Sequence, residues 1–286
     1  MNKSIWRGKH GPLLIAEIGG NHEGDFEYAK KLTKLAIAAD VDFIKFQLYT
    51  GDSLVNPLES ASRNEHFKKF ELSKENHLEL AQLCKKNLVG YAASVWHEDF
   101  FSWIDDYLDF YKIGSGDLTA YPILKNIAEI GKPILLSTGL ATENEVIESV
   151  KFIQKINLNY LKAGRLALLQ CTSMYPITHS DAHLNVMDRL REITRLSHVG
   201  YSDHTIGIDA LKYAYAMNAD ILEFHFTDDR NNRSFRDHTV SLTKADVENL
   251  IAEIKIINAL KGNQIKTQLK IELENEKNKT VKPEPN

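Results

Sequence analysis

Short apolar runs alternate along the chain with segments whose apolar residues recur at helical spacing. The runs are LLIAEI near 14–18, DFIKFQ at 42–47, VGYAASV at 89–95, DFYKIG at 109–114, KPILLST at 132–138, LALLQC at 166–171, HVGYSD at 198–203 and DILEFHF at 220–226. Their length and continuity suit strands buried on both faces. The helical patterns between them include 26–39, 74–87, 121–130, 142–156, 206–217 and 243–260. Two carry start signals: Thr142 precedes ENEVIESV, and Thr243 precedes KADVENLIAEI with Asp246 three residues on, a capping pattern.

Strand followed by helix, eight times in roughly 250 residues, is the count and size of an α/β protein of the (β/α)8 TIM-barrel type. A doubly wound open sheet would read much the same and is the runner-up. The segments 50–72 and 158–164 fit neither period and are expected to be irregular. A single barrel domain is expected over 1–262. The polar stretch 263–286, ending TVKPEPN, is expected to be a loose tail.

Bulk composition changes this picture little. The chain has 286 residues, 43% of them hydrophobic, and a formal net charge of −4. No basic stripe is present, so nucleic acid is not an expected partner. No apolar run approaches the ~20 residues of a membrane span, and no signal peptide is expected at LLIAEI, which is short and carries a carboxylate. Cys84 and Cys171 fit no metal or disulfide spacing and read as small buried hydrophobes in a reducing, cytoplasmic compartment.

The C-terminal strand ends of such a barrel form its active face, and each candidate strand ends in polar residues. In order these are Glu17 followed by Asn21 and His22; Lys45 and Gln47; Ser94; Lys112, Ser115 and Asp117; Ser137 and Thr138; Gln170, Thr172, Ser173 and Tyr175; Ser202, Asp203 and His204; and Glu223 and His225. Serines at strand ends need no special reason, because turns use them freely. Lys45 and Lys112 do need one, since an unpaired charge in an apolar strand costs several kcal/mol. Two lysines and several hydroxyls facing one cavity favour a small phosphate- or carboxylate-bearing ligand over internal ion pairs.

His204 and His225 end adjacent strands, whose backbones run ~5 Å apart. Both imidazoles could ligate one divalent ion, with Mn²⁺ expected and Zn²⁺, Co²⁺ or Fe²⁺ as rivals. Asp203 and Glu223 are candidates to orient the rings. Asp237, just beyond the last strand, could face the site or sit in a plain polar loop. The glycines in GSG at 114–116, STG at 137–139 and GG at 19–20 would let backbone approach a ligand closely.

Taken in order, IAEIGGNHEGD, DFIKFQ, YKIGSGDLTAYPILKNIAEIGKPILLSTG, LLQCTSMYP, VGYSDHTIGIDAL and ILEFHFTDD…RDHTVSL resemble the sialic acid (N-acetylneuraminate) synthase family. Similar enzymes make the bacterial sugars legionaminate and pseudaminate. The resemblance runs from about Leu13 to Leu260. It implies a TIM barrel that condenses phosphoenolpyruvate with an amino-sugar acceptor, an N-acetylhexosamine such as N-acetylmannosamine. It further implies that Lys45, Lys112, Ser115, Ser137 and Ser202 hold phosphoenolpyruvate, with Ser94 and Ser173 in the same pocket. By the same likeness His204 and His225 hold Mn²⁺, Glu17 is a catalytic carboxylate, and Gln47, Tyr175 and Asp237 face the sugar. Asp117 could share the proton handling with Glu17.

The chain departs from the family pattern in places. ASVW at 93–96 stands where such enzymes commonly read STPF, and Asp117 where they have Glu. Phe224 precedes the second histidine where a basic residue is usual. Such enzymes usually carry an antifreeze-like C-terminal domain after the barrel; none is expected within these residues, so the expectation is a separate partner that supplies it or a different acceptor sugar, with a homodimer as the other partner expectation. Rival readings are a synthase for a different aldose and a non-catalytic phosphoenolpyruvate- or sugar-binding subunit of a polysaccharide pathway.

Overall fold

The computed structural model describes residues 4–231, 233 and 235–275. Eight parallel strands form as the apolar runs predict: β1 (Gly11–Glu17), β2 (Phe43–Leu48), β3 (Gly90–Val95), β4 (Tyr111–Ile113), β5 (Ile134–Ser137), β6 (Leu166–Cys171), β7 (Val199–Asp203) and β8 (Ile221–His225). Each pairs with the next, and β8 returns to pair with β1, Glu17 opposite His225. Closure rules out the open sheet and makes the fold a (β/α)8 barrel.

The barrel helices are α1 (Phe26–Ala38), α2 (Lys74–Lys86), α3 (Phe101–Ile104), α4 (Tyr121–Ile130), α5 (Glu143–Ile156), α6 (Val186–Thr194), α7 (Asp209–Ala216) and α8 (Lys244–Lys261). The start signals read from sequence work as expected. Thr142 and Glu145 form a capping box on α5, and Thr243 and Asp246 one on α8. Helix α7 starts later than its pattern because Gly207, at φ +91°, takes a left-handed turn.

Alternate strand residues point to opposite faces, and this splits the core in two. Leu14, Ala16, Ile44, Phe46, Leu136 and Leu168 pack outward against the helices. Leu13, Ile15, Phe43, Ala92, Leu135 and Ile221 fill the barrel interior. Trp6 closes the bottom, fully buried 5.3 Å from Phe110, its indole N–H donating to the Gly164 carbonyl at 2.8 Å.

The segment 50–72 is not irregular as expected. It holds a turn of helix at Gly51–Leu54 and a ten-residue helix at Ala61–Phe70. Only Asn64, Phe67 and Phe70 turn inward from that helix, too few to give a clear apolar stripe. Long-range hydrogen bonds hold it instead: the Asn64 amide donates to the carbonyls of Gly51 (3.1 Å) and Val55 (2.7 Å) and to Asp52 Oδ1 (3.0 Å). Within 158–164, Leu158–Leu161 forms a single 3₁₀ turn. Of the polar tail, 263–275 is exposed with one helical turn at Lys270–Leu273, and the rest lies outside the described residues. Among the described residues no helix is long and apolar enough to cross a membrane.

Candidate active site

The interior face of each strand is apolar below and polar at its C-terminal end. On β1 the inward residues run Leu13, Ile15, Glu17; on β2 Phe43, Lys45, Gln47; on β8 Ile221, Glu223, His225. The period of two that places the apolar members in the floor places the polar ones above it. The floor they share belongs to one cavity of about 900 Å³ at the top of the barrel. Every residue expected to act there lines it: Glu17, Lys45 and Gln47 from β1 and β2, then Ser94, Lys112, Ser115 and Asp117 from β3 and β4. Ser137, Ser173, Tyr175, Ser202, His204, His225 and Asp237 complete the set.

Four buried charges meet in the floor. Lys45 Nζ lies 2.6 Å from Glu17 Oε2 and 3.9 Å from Glu223 Oε2, and Lys112 Nζ lies 3.5 Å from Glu223 Oε1. The lysines therefore do form the internal ion pairs that the sequence reading disfavoured, because the two carboxylates project from neighbouring strands into the same layer. Lys112 also donates to Ser137 Oγ (2.7 Å), and Ser202 donates to Glu223 Oε1 (3.0 Å). Gln47 donates to Glu17 Oε1 at 3.0 Å.

Burial works against charge on both lysines. Glu17 and Glu223 outweigh it at Lys45 and hold that ammonium above its ordinary value. At Lys112 burial wins over Glu223, helped by the neighbouring Lys45, and the value falls. Burial opposes ionisation of Glu223, yet Lys112 and Lys45 overcome it and hold this carboxyl below the usual range.

Above Lys112 the hydroxyls gather around Gly139. Its N–H donates to Ser115 Oγ at 3.0 Å, and a side chain there would meet Ser115 Oγ at 2.7 Å and also collide with Ser173 Oγ. Glycine is required by this close approach. Asp117 follows Ser115 in a 3₁₀ turn and accepts a hydrogen bond from the indole N–H of Trp96. Burial raises the Asp117 carboxyl, opposed by that hydrogen bond and by Lys112.

His204 and His225 stand with ring centroids 5.3 Å apart, and the Tyr175 ring lies 4.0 Å from the first and 5.4 Å from the second. His204 Nδ1 is 2.7 Å from the Thr172 carbonyl. A carbonyl only accepts, so the proton sits on Nδ1 and Nε2 keeps its lone pair for a ligand. Burial, and then the nearby His225, lower His204 to about 3. His225 Nδ1 is buried with no hydrogen-bond partner among the described residues and lies 3.7 Å from Asp237 Oδ2. Arg236 donates to the other Asp237 oxygen at 3.2 Å and covers the Tyr175 ring at 4.7 Å.

The expected orienters of the rings are not the observed ones. Asp203 is occupied by the Tyr201 hydroxyl (3.1 Å) and by Thr205 (2.9 and 3.0 Å), and Glu223 by the lysines. The Thr172 carbonyl and Asp237 stand beside the rings instead. Among the described residues no group of three or more His, Cys, Asp or Glu converges as a complete metal shell. The two imidazoles thus offer a partial set, which suits an ion that keeps open positions for water or substrate.

Other polar strand ends are structural. Asn21 donates to the Phe226 carbonyl (2.9 Å) and Ser241 Oγ (2.8 Å), and Gln170 donates to the Ala182 carbonyl (3.1 Å). Cys84 is core, as expected. Cys171 is buried but lines the cavity, 3.9 Å from His204 Nδ1. Sequence reasoning missed the aromatic side chains that 50–72 sends to the cavity, because that segment showed no period to place them.

A family model described as the NeuB family matches residues 32–266. The N,N'-diacetyllegionaminic acid synthase of Campylobacter jejuni is 34% identical, over 92% of this chain and 81% of its own length. The N-acetylneuraminate-9-phosphate synthase of Mus musculus is 29% identical, over 93% of this chain and 76% of its own length. Among solved structures, the N-acetylneuraminic acid (sialic acid) synthetase of Leptospira borgpetersenii, in complex with citrate, superposes with a TM-score of 0.85 at 26% identity and covers 96% of both chains.

Proposed function

The chain belongs to the NeuB family, and from that premise we propose that it condenses phosphoenolpyruvate with an N-acetylhexosamine, releasing phosphate and forming a nonulosonic acid. The observation that carries this reading is the pair of buried lysines, Lys45 and Lys112, set among inward hydroxyls on the floor of a cavity that two histidines overlook. Lysines suit a carboxylate and a phosphate as point charges. Ser115, Ser137, Ser173 and Ser202 add donors around them.

In the proposed reaction C3 of phosphoenolpyruvate attacks the aldehyde carbon of the open-chain sugar. Positive charge develops at C2, water adds there, and the C2–O bond to phosphate breaks. Lys45 and Lys112 fix the anion so that the two carbons meet. Glu17 faces the same floor, with Gln47 on one oxygen and Lys45 on the other, positioned to stabilise charge at C2 or take the proton of the adding water. Asp117 is the second candidate for that proton. Tyr175, Gln47 and Asp237 line the space left for the sugar.

His204 and His225 would hold a divalent ion, with Mn²⁺ the expected one. Bound there, it supplies a Lewis acid for the aldehyde oxygen. The Thr172 carbonyl keeps His204 in the ligating tautomer, while Asp237 Oδ2 stands 3.7 Å from His225 Nδ1.

The test is phosphate release from phosphoenolpyruvate with Mn²⁺ and a panel of N-acetylhexosamines and related aldoses. Sugar-dependent release, abolished by EDTA and by His204→Ala, is expected. No release with any sugar, from protein that still binds phosphoenolpyruvate, would replace the synthase by a binding subunit.

A further inference from the structure

The chain between β8 and α8 carries Phe235, Arg236 and Asp237 to the cavity, yet no strand or long helix supports it. It is closed at its base, where the Thr227 N–H donates to the Leu242 carbonyl (2.9 Å) and the Leu242 N–H to that of His225 (2.7 Å). Its outer part is held to α1, because the Tyr28 hydroxyl and the Lys31 ammonium donate to Asp228 at 2.6 and 2.7 Å. Neither attachment fixes the residues at the cavity, which lie further along.

A buried contact with the loop after β1 does so. His238 is 1% exposed and does not line the cavity that Asp237 faces. Its Nδ1 is 2.7 Å from Thr227 Oγ1, and its Nε2 is 3.2 Å from Glu23 Oε1. A carboxylate only accepts, so Nε2 carries a proton and donates it to Glu23. Glu23 holds φ +52°, a left-handed backbone that few residues other than glycine adopt and that persists only where neighbouring contacts impose it. From the same loop the Asn21 amide donates to Ser241 Oγ (2.8 Å), and the Ser241 hydroxyl donates to the Asp237 carbonyl oxygen (2.7 Å). Asp237 is therefore held at its own carbonyl and through the adjoining ring. Its carboxylate is left facing His225, with Oδ2 3.7 Å from Nδ1. Burying an imidazole against a carboxylate strips water from both. Apolar side chains would fill the space without that cost, so stability alone does not explain the pair.

Resting on the proposed synthase reading, we propose that His238 and Glu23, neither of which lines the cavity, are positioning residues for the reaction: they hold the Asp237 carboxylate beside His225 and act on turnover through it.

The test is a double-mutant cycle on phosphate release, with phosphoenolpyruvate, Mn²⁺ and N-acetylmannosamine, or a panel sugar that turns over faster. His238→Ala is expected to lower kcat/KM for the sugar by between about tenfold and about a hundredfold, with the KM for phosphoenolpyruvate changed by less than about twofold. His238→Gln, which keeps an N–H for Glu23, should recover part of the loss, and Glu23→Gln, which keeps an acceptor oxygen, should lose less than Glu23→Ala. In an Asp237→Ala background His238→Ala should cost little more, since residues that act through one group are not additive. Equal losses in both backgrounds would overturn the inference and make His238 a packing residue. So would wild-type kinetics in both His238→Ala and Glu23→Ala. Should His238→Ala fail to fold, Glu23→Ala, at a half-buried position, carries the same cycle. Absence of sugar-dependent phosphate release in the wild type would instead sink the synthase reading, and the positioning role with it.

Discussion

Replacing Glu223 by Gln removes one negative charge from the buried set of four while keeping shape and an oxygen for Ser202. In the native site Glu223 stands 3.5 Å from Lys112 Nζ and 3.9 Å from Lys45 Nζ. At an effective dielectric of about 20 each contact is a gross attraction of about 4–5 kcal/mol. Glu17 still neutralises Lys45, and Lys112 can shed its proton, so the net loss is smaller. Severed buried pairs usually cost about 3–5 kcal/mol. For a chain of this size each kcal/mol moves Tm by about 2 °C, so the ligand-free variant should melt on the order of 5–10 °C lower. The same substitution takes a repelling carboxylate away from an incoming anion. The variant should therefore gain more from phosphate, at roughly tenfold in affinity per 1.4 kcal/mol of repulsion removed. Thermal unfolding in EDTA at low salt, with phosphate from none to saturating, reads both effects. The gap between variant and native Tm is expected to narrow as phosphate rises. A variant that melts with the native protein and responds no more strongly to phosphate would refute the charge cluster as the basis of anion binding.

Two further outcomes follow from buried groups outside the histidine pair. Burial lowers His22 to about 4 and His77 to about 3, against about 6.5 in an unfolded chain. The unfolded chain thus binds more protons below pH 6.5, so this stability is complete above that pH and is lost as pH falls toward 4 and 3. The slope is up to about 1.4 kcal/mol per pH unit for each ring; denaturant midpoints should drop between pH 7 and 5, less so in His77→Gln, and a flat profile would contradict the assignment. Trp96→Phe strips Asp117 of the hydrogen bond that opposes its burial, so the acidic limb of phosphate release should move to higher pH; a limb that stays put would exclude Asp117 as the group that titrates there.

How much of this was legible varies by element. Eight strands could be read because parallel strands buried on both faces become continuous apolar runs. Lys45 and Lys112 stood out because charge inside such a run needs a partner, and His204 and His225 because they end adjacent strands. Their grouping followed from barrel topology, since one end of every strand meets the others. What stayed hidden depends on contacts between distant segments. The helix Ala61–Phe70 is held by Asn64 and two inward rings, which leaves almost no periodic trace. The bond from Trp96 to Asp117 joins the ends of β3 and β4 across twenty residues of chain, and no spacing rule predicts it. The partners of the lysines were misjudged for a related reason. Glu17 and Glu223 were each read as strand-end residues, whereas the register sets Glu17 beside Lys45 and Ser202 beside Glu223, placing both carboxylates in the layer of the ammonium groups.

That pairing also bears on how the proposed chemistry would begin. A barrel tolerates four buried charges because they neutralise one another, and an anion entering the floor must compete with Glu17 and Glu223 for the same two lysines. Binding on this reading exchanges internal ion pairs for external ones, so affinity reflects a difference of two similar terms and not the sum of two lysine contacts. The exchange also loosens Glu17 from Lys45, leaving it beside the substrate when an oxygen able to accept a proton is needed. Glu17 is fixed by Gln47 on its other oxygen, so it would stay in place as the lysine turns to the ligand. The arrangement couples occupancy of the anion site to availability of the carboxylate. Glu17→Gln should accordingly spare phosphate binding, or strengthen it as Glu223→Gln does, while abolishing turnover; weakened phosphate binding in that variant would show that Glu17 holds Lys45 in place and does not compete for it.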